Sequence, residues 1–188
     1  MKLIGGLRPD DSVAVYSLNG GISELQPFTK DKSLAARVVW RAELGEFTAL
    51  YDGLVRVNRD LAARTGKKAM VVFTDGEDNS STLSADIAIL RAKTRGIPIY
   101  TIAQGHALGH ALLLQDLSGI SRATGGLSFR IQSAAEIAPV FESVLQDLLH
   151  GYLLAFQPPA TEDREWRKIE VQLNAPANVR ARQGYYPD

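Results

Sequence analysis

The chain has 188 residues with 45% hydrophobic content, which suits one domain with a buried core of its own. It contains no cysteine, so disulfides and thiolate metal sites are excluded. Because 21 basic residues balance 21 acidic ones, no overall charge favours nucleic acid or an anionic membrane as a partner. No apolar run reaches the roughly 20 residues that a membrane span requires.

The chain opens with the pattern of a hairpin. Residues 11–18 and 22–28 are two short extended runs, and an Asn-Gly-Gly sequence separates them. An Asn-Gly pair accepts the positive φ angles of a tight turn, so we predict two antiparallel strands at the edge of a sheet. Residues 32–41 then predict a short helix, with Asp31 as its N-cap.

Three repeats of a helix followed by a strand make up the middle of the chain. Apolar residues at spacings of three or four predict the helices, and glycines end them. The predicted helices are residues 48–66, 83–95 and 112–124, with Thr48 as N-cap of the first and Leu83, Ile87 and Leu90 inward in the second. The predicted strands are residues 68–75, 97–102 and 127–131. This alternation predicts a doubly wound, mostly parallel α/β domain.

The pattern changes after a last predicted helix at residues 134–150. Residues 152–156, 166–173 and 179–183 resemble strands with no helix between them. Such a short segment can hardly hold a core alone. We therefore expect an α/β domain over residues 1–151, and a small C-terminal β appendage over residues 152–188 that packs on the same domain through antiparallel strands.

An acidic turn comes after the strongest strand signal. Residues 70–73 are four consecutive apolar residues, and Asp75 lies just beyond them, with Glu77, Asp78 and Asn79 close behind. A continuous apolar run suits the centre of a parallel sheet, and such sheets carry ligand sites at the carboxyl ends of their strands. Asp75 is therefore a candidate binding residue. The alternative is a tight turn in which Asp78 or Asn79 caps the next segment of the chain.

Several motifs in this order resemble a von Willebrand factor type A domain, and most closely its bacterial branch, usually called VWFA-related. They are Val-Val-Phe-Thr-Asp-Gly-Glu-Asp at residues 71–78, Thr-Ala-Leu-Tyr-Asp at 48–52, Leu-Arg-Pro-Asp-Asp at 7–11, and the tail motifs at 167–171 and 180–186. The resemblance implies a Rossmann-like sheet with strand order 3-2-1-4-5-6. It also implies a metal-ion-dependent adhesion site, where Mg²⁺ bridges the domain to an acidic side chain of a protein partner. In that site Thr48 would supply a hydroxyl and Asp75 a carboxylate.

One part of the family pattern is missing from the sequence. Families of this kind carry Asp-x-Ser-x-Ser at the end of their first strand, and no such triplet occurs in this chain. Residues 1–7 match the end of the family's first helix, so we expect the first strand and its ligands to precede them. We therefore expect Mg²⁺ binding by this chain alone to be weak or absent. A preceding signal peptide would favour an extracytoplasmic or cell-envelope location, and a chain complete at Met1 a cytoplasmic one.

The implied strand order leaves a gap in the middle of the sheet. The absent strand would lie between the strand at residues 12–18 and the strand at residues 69–74. Unpaired backbone groups buried there would each cost on the order of 1–3 kcal/mol, so something must fill the gap. The flanking strands could close onto each other, the tail could supply a strand, or two copies could exchange an element. We favour the exchange, which gives an intertwined homodimer.

Two function classes remain open. The first is a protein-binding or adhesion-type module with a partial or degenerate divalent-cation site, and it is not an enzyme. The second is a metal-dependent hydrolase or phosphoacceptor that uses Asp75 with Glu77 and Asp78. No histidine lies near Asp75 in the sequence and no second acidic strand end accompanies it, so we favour binding.

Other motifs carry weaker signals. His106 and His110 have the spacing of a zinc-binding pair on a helix but lack the intervening glutamate of a zinc hydrolase. No nucleophile elbow and no glycine-rich nucleotide loop occurs in the chain. We expect Trp40 and Trp166 to be packing or hinge residues.

Overall fold

The computed structural model describes residues 2–42, 47–75, 77–152, 154–158, 163, 165–174, 176 and 179–187. Within them the helices are α1 (Lys2–Gly5), α2 (Lys32–Trp40), α3 (Leu50–Ala62), α4 (Ala85–Arg95), α5 (Ala111–Thr124) and α6 (Ala134–His150). The strands are β1 (Val13–Ser17), β2 (Ser23–Thr29), β3 (Met70–Thr74), β4 (Ile99–Gln104), β5 (Ser128–Ile131), β6 (Arg167–Lys168) and β7 (Gly184–Tyr185). None of the described helices has the length and apolar character that a membrane span requires.

The first part of the chain folds as its sequence predicts. Strands β1 and β2 pair antiparallel, with Ser17 opposite Ser23 at the turn end of the hairpin. Asp31 caps α2, because its Oδ1 accepts a hydrogen bond from the Leu34 backbone N–H at 2.8 Å. Both predictions are confirmed.

A parallel sheet holds the core. Strand β4 lies between β3 and β5, and both pairings are parallel. Its residues Ile99 and Ile102 are fully buried, as are Leu50 of α3 and Leu117 of α5. This arrangement confirms a Rossmann-like α/β fold with an antiparallel edge hairpin and a small C-terminal β pair.

The hairpin and the parallel sheet are separate sheets. In the described part of the chain, no ladder joins β1 to β3. Among those residues the predicted gap is therefore present, and neither closure of the flanking strands nor a strand from the tail fills it. The proposed homodimer remains a prediction.

Two details of the predicted helices are wrong. Helix α3 begins at Leu50, so its N-cap residue is Ala49 and not Thr48. The Ala49 side chain makes no capping hydrogen bond to the helix. Helix α4 buries Ala88 and Ala92, whereas Ile87 and Leu90 are exposed. Helix α4 packs against both α3 and α5. Small side chains allow this close packing, whereas a search for large apolar residues selects the opposite face.

The predicted tail strands are also largely wrong. Residues 152 and 154–156 form no strand, and the pairing in the described part of the tail is confined to the two-residue strands β6 and β7. The tail packs on the main domain through side chains. Trp166 contacts Tyr186 edge to face at 4.9 Å, and the Lys93 ammonium lies 5.0 Å from the Trp166 ring. The packing role predicted for Trp166 is confirmed, but Trp40 is exposed.

Arginine anchors the end of the tail at the base of the parallel sheet. The Arg180 Nε donates to the Gly125 carbonyl at 2.9 Å, which satisfies an acceptor at the C-terminus of α5. Its guanidinium also forms an ion pair with Asp147 of α6, and the Tyr100 hydroxyl donates to the same carboxylate. Burial, and then this hydrogen bond, raise the pKa of Tyr100 far above its usual value.

Gly126 offers a test of how closely the last crossover packs. A Cβ atom at this position would lie 2.0 Å from the backbone oxygen of Ile99, which cannot move without disturbing β4. We expect Gly126→Ala to lower the free energy of unfolding by about 3 kcal/mol, as overpacking against a rigid neighbour does. Chemical denaturation measures this change.

Gly119→Ala is the matched control. Gly119 lies inside α5, and a Cβ atom at this position would meet no atom from another part of the protein within 4 Å. Alanine should therefore be neutral or stabilising by up to about 1 kcal/mol. Equal destabilisation by the two substitutions would contradict the close approach at Gly126.

Candidate functional site

Thr48 and Asp75 lie on loops that meet at one edge of the protein. Asp75 directly follows β3, and its backbone carbonyl accepts from the Ala107 N–H at 2.9 Å. Asn79 joins the same loop to Thr48. The Asn79 N–H donates to the Thr48 carbonyl at 3.1 Å, and the Thr48 N–H donates to Asn79 Oδ1 at 2.7 Å. We call this surface, at the carboxyl end of β3, the binding edge.

Asp78 ties the acidic turn to the start of α3. Its Oδ2 accepts from the Tyr51 N–H at 2.9 Å, and its Oδ1 accepts from the Ser81 N–H at 3.0 Å. The Ser81 hydroxyl donates to Asp78 and in turn accepts from the Asp52 N–H at 3.0 Å. The first N–H groups of α3 are therefore capped from a distant loop, which is why Thr48 is not needed as a cap.

Asp52 makes the reciprocal connection from α3 to the loop. Its carboxylate accepts from the backbone N–H groups of Thr82 and Leu83, each at 2.9 Å, and from the Thr82 hydroxyl at 3.0 Å. Partial burial acts to raise the pKa of Asp52, but these hydrogen bonds outweigh it and hold the pKa below its usual value. Asp52 is therefore a structural carboxylate.

A third contact links α3 to α5. The Tyr51 hydroxyl donates to Asp116 at 2.9 Å. Burial, and then this hydrogen bond, raise the pKa of Tyr51 far above its usual value, so the phenol stays protonated. The Asp116 carboxylate is thus engaged within the protein.

Glu77 pairs with a histidine that is distant in the sequence. His110 Nδ1 and Glu77 Oε1 form an ion pair when the imidazole is protonated. No histidine lies near Asp75 in the sequence, but the loop after β4 brings His110 to Glu77 of the acidic turn. His106 lies on a 3₁₀ turn (Gly105–Gly109) and His110 follows it, so the two histidines do not share an α-helix as the spacing predicted.

Both predicted ligands at the binding edge, Thr48 and Asp75, keep side-chain oxygens without such partners among the described residues. In the described part of the chain, neither the exposed Asp75 carboxylate nor the Thr48 hydroxyl has a side-chain hydrogen bond or ion pair. Their oxygens are the kind of ligand that Mg²⁺ prefers. No group of three or more His, Asp or Glu side chains that suits a metal occurs among the described residues. The residues therefore fit a divalent cation in kind but not in number.

The different roles of Asp78 and Asp75 predict different effects on stability. Asp78→Ala removes the cap of α3 and leaves the Tyr51 and Ser81 N–H groups unpaired, so we expect a loss of about 2 kcal/mol. Asp75→Ala, its control, should change stability by less than about 1 kcal/mol. Thermal denaturation of both variants decides between these roles. A larger loss for Asp75→Ala would show that Asp75 is structural.

The lowered pKa of Asp52 predicts that the stability of the protein depends on pH. Its pKa is lower in the folded protein than in the unfolded protein, where the pKa of an aspartate is about 3.9. Its stabilising contribution is thus complete above that value and is lost as the pH falls through the folded pKa. Asp52→Asn should lower the melting temperature at pH 7, and the difference from the original chain should shrink towards pH 2. A difference that is constant with pH would contradict this linkage.

Comparisons with known proteins identify the family to which this fold is similar. A family model for the von Willebrand factor type A domain matches residues 1–143. A solved von Willebrand factor type A protein from Catenulispora acidiphila superposes with a TM-score of 0.65 at 21% identity, over 78% of this chain and 36% of that one.

Two further structures share the fold. BatB from Bacteroides thetaiotaomicron has a TM-score of 0.61 at 15% identity, over 80% of this chain and 84% of that one. The SpRpn10 VWA domain has a TM-score of 0.54 at 14% identity, over 78% of this chain and 76% of that one. No curated protein matches the chain with significant similarity.

Proposed function

The chain belongs to the von Willebrand factor type A domain family, and we propose that it binds a protein partner through the binding edge, with Asp75 as the central contact residue. Domains of this family are generally interaction modules without catalytic activity. We propose that this chain is likewise an interaction module without catalytic activity, and that its contact site includes Thr48 and Asp75.

The carboxylates around the binding edge differ in whether folding uses their oxygens as hydrogen-bond acceptors, and this contrast supports the proposal. Asp52, Asp78 and Asp116 are all hydrogen bonded within the protein. Asp75 is exposed and keeps its carboxylate for a contact from outside the described residues. A carboxylate that folding leaves unused, on loops held in place by its engaged neighbours, suits recognition.

A divalent cation would strengthen such a contact. Thr48 and Asp75 would hold the ion, and water would complete its octahedral shell until a partner carboxylate replaces one of the waters. A cation bound in this way supplies the positive charge that joins two carboxylates. Because no group of three or more His, Asp or Glu side chains that suits a metal occurs among the described residues, we propose that the cation affinity is weak.

The hydrolase or phosphoacceptor alternative has less support. It requires Glu77 and Asp78 to work beside Asp75, but Asp78 is hydrogen bonded to α3 and Glu77 is paired with His110. The His110 imidazole is itself engaged by Glu77. We propose a non-catalytic role.

A titration with Mn²⁺ tests the cation site directly. Paramagnetic broadening of backbone NMR signals should concentrate on residues 48 and 75, with a dissociation constant on the order of 1 mM. We expect Asp75→Ala to abolish the localised broadening. Asp86→Ala is the matched control, because it removes the same charge from an exposed position in the first turn of α4. Broadening that survives Asp75→Ala would place any cation elsewhere.

Partner binding is tested with the same variants. Proteins from a cell-envelope extract are captured on the immobilised chain, on Asp75→Ala and on Asp86→Ala. We expect a set that the original chain and Asp86→Ala retain, and that Asp75→Ala loses. Loss of the same set in excess EDTA would support the cation bridge. An identical set on all three would contradict a role for the binding edge.

A further inference from the structure

A groove lies between helices α3 and α4 on one side and the tail of the chain on the other. Arg95 of α4 lines one wall, and Lys168 of β6 and Arg182, just before β7, line the other. Arg182 touches both walls, because a Cβ atom at Gly96, the C-cap of α4, would lie 2.5 Å from its Nη1. The binding edge is a separate surface, since neither Thr48 nor Asp75 lines the groove.

The walls of this groove are basic, although the charges of the whole chain balance. Among the described residues that line it, ten are Lys or Arg and three are Asp or Glu. The chain as a whole has 21 of each kind, so the excess is local. A cleft lined by charges of one sign concentrates ligands of the opposite sign. The groove therefore favours an anionic ligand.

The basic residues of the groove fall into two sets. Those of the first set each form an ion pair with an aspartate, and they are Arg56, Arg59, Arg167 and Arg180. Those of the second set form no ion pair within the part of the chain that the structure describes, and they are Lys67, Lys68, Arg91, Arg95, Lys168 and Arg182. The second set is available to a ligand.

The acidic residues of the groove do not neutralise this second set. Asp52 accepts hydrogen bonds from the loop after β3, and Asp147 is paired with Arg180. Glu170 accepts from the Gln172 side-chain amide at 3.1 Å. Carboxylates for the unpaired cations must therefore come from outside the described residues.

Arg182 is partly withdrawn from water. Its Nε donates to the Gly184 carbonyl at 2.7 Å, and its guanidinium lies against Gly96. Burial lowers the pKa of Arg182, because the charged form loses hydration. A carboxylate beside the guanidinium would compensate that loss, and the planar guanidinium suits a carboxylate geometrically.

Apolar side chains share the groove with these cations. Leu154, Phe156, Leu173 and Val179 of the tail all line it, and all four are exposed. Burial of such side chains by a ligand is favourable in proportion to the apolar area that leaves water. A ligand with acidic groups alone would leave this surface in water. The groove therefore suits a ligand that is apolar as well as anionic.

The apolar residues favour a peptide over a nucleic acid. Single-stranded nucleic acids bind basic grooves by stacking their bases on open aromatic rings. In this groove the Phe156 ring already packs edge to face on Tyr185, with the ring centres 5.5 Å apart. Leu154, Leu173 and Val179 have no ring, but they can contact aliphatic side chains.

We propose that the groove binds an extended segment of a partner protein in which acidic and apolar side chains alternate. Successive side chains of an extended segment point to opposite sides. The acidic side chains would pair with Arg91 and Arg95 of α4, while the apolar ones contact Leu173 and Val179 of the tail. This site requires no cation, and it is independent of the binding edge.

Fluorescence anisotropy with a synthetic peptide tests the groove. The ligand is a fluorescein-labelled decapeptide of alternating glutamate and leucine. We expect Arg91→Glu with Arg95→Glu to weaken its binding at least about 10-fold, because two attractive contacts become repulsive. The control is Arg37→Glu with Arg130→Glu, which makes the same change of charge at two exposed positions outside the groove. Equal weakening by the two double variants would overturn the proposal.

Changes to the ligand supply a second measurement on the original chain. A decapeptide of alternating glutamate and serine should bind at least about 10-fold more weakly, because it buries less apolar surface. Excess EDTA should leave binding of the glutamate–leucine peptide unchanged, which distinguishes this site from a cation at the binding edge. The proposal would be overturned if the glutamate–leucine peptide did not bind, if the serine peptide bound equally well, or if a labelled thymidine decanucleotide bound more tightly.

Discussion

The capping of α3 by the loop after β3 is the interaction on which the candidate site depends. Asp78 accepts the Tyr51 N–H, and Asp52 accepts N–H groups from Thr82 and Leu83 in return. Each carboxylate compensates backbone donors that would otherwise be unpaired at a helix start or in a turn. The reciprocal bonds fix the acidic loop to a helix that is packed on the core. The positions of Thr48 and Asp75 are therefore set without their own side-chain oxygens being used.

The opposite end of the molecule is held by basic side chains. Arg180 bonds to the C-terminus of α5, whereas Arg8 and Lys67 bond to the C-terminus of α6. Cations are favourable at these ends, because the last carbonyls of a helix are unpaired and carry partial negative charge. The tail adds polar anchoring at the base of the sheet, while its apolar residues 152, 154 and 156 stay exposed. The basic anchors and the proposed binding edge thus lie at opposite ends of the strands.

Much of the fold can be predicted from the sequence because it rests on local patterns. Apolar periodicity predicts helix α6 with its observed bounds, and the place of Asp31 before an amphipathic run identifies it as a cap. The errors arise where contacts between distant segments decide the outcome. The inward face of α4 is formed by alanines that allow three helices to pack closely, and the pairing of Glu77 with His110 joins loops 33 positions apart. No periodicity within one segment carries that information.

Charge gives the proposed function a physical consequence at the binding edge. Asp75 is an exposed acid there, so an acidic side chain of a partner meets repulsion when no cation is present. A cation on Thr48 and Asp75 reverses the sign of this interaction, and a partner carboxylate in turn adds a ligand to an incomplete shell. Each ligand therefore raises the affinity for the other by the same factor, as thermodynamic linkage requires. Weak binding of the cation alone is then compatible with tight binding of the cation and the partner together. The reason is that the partner carboxylate supplies a metal ligand in addition to Thr48 and Asp75.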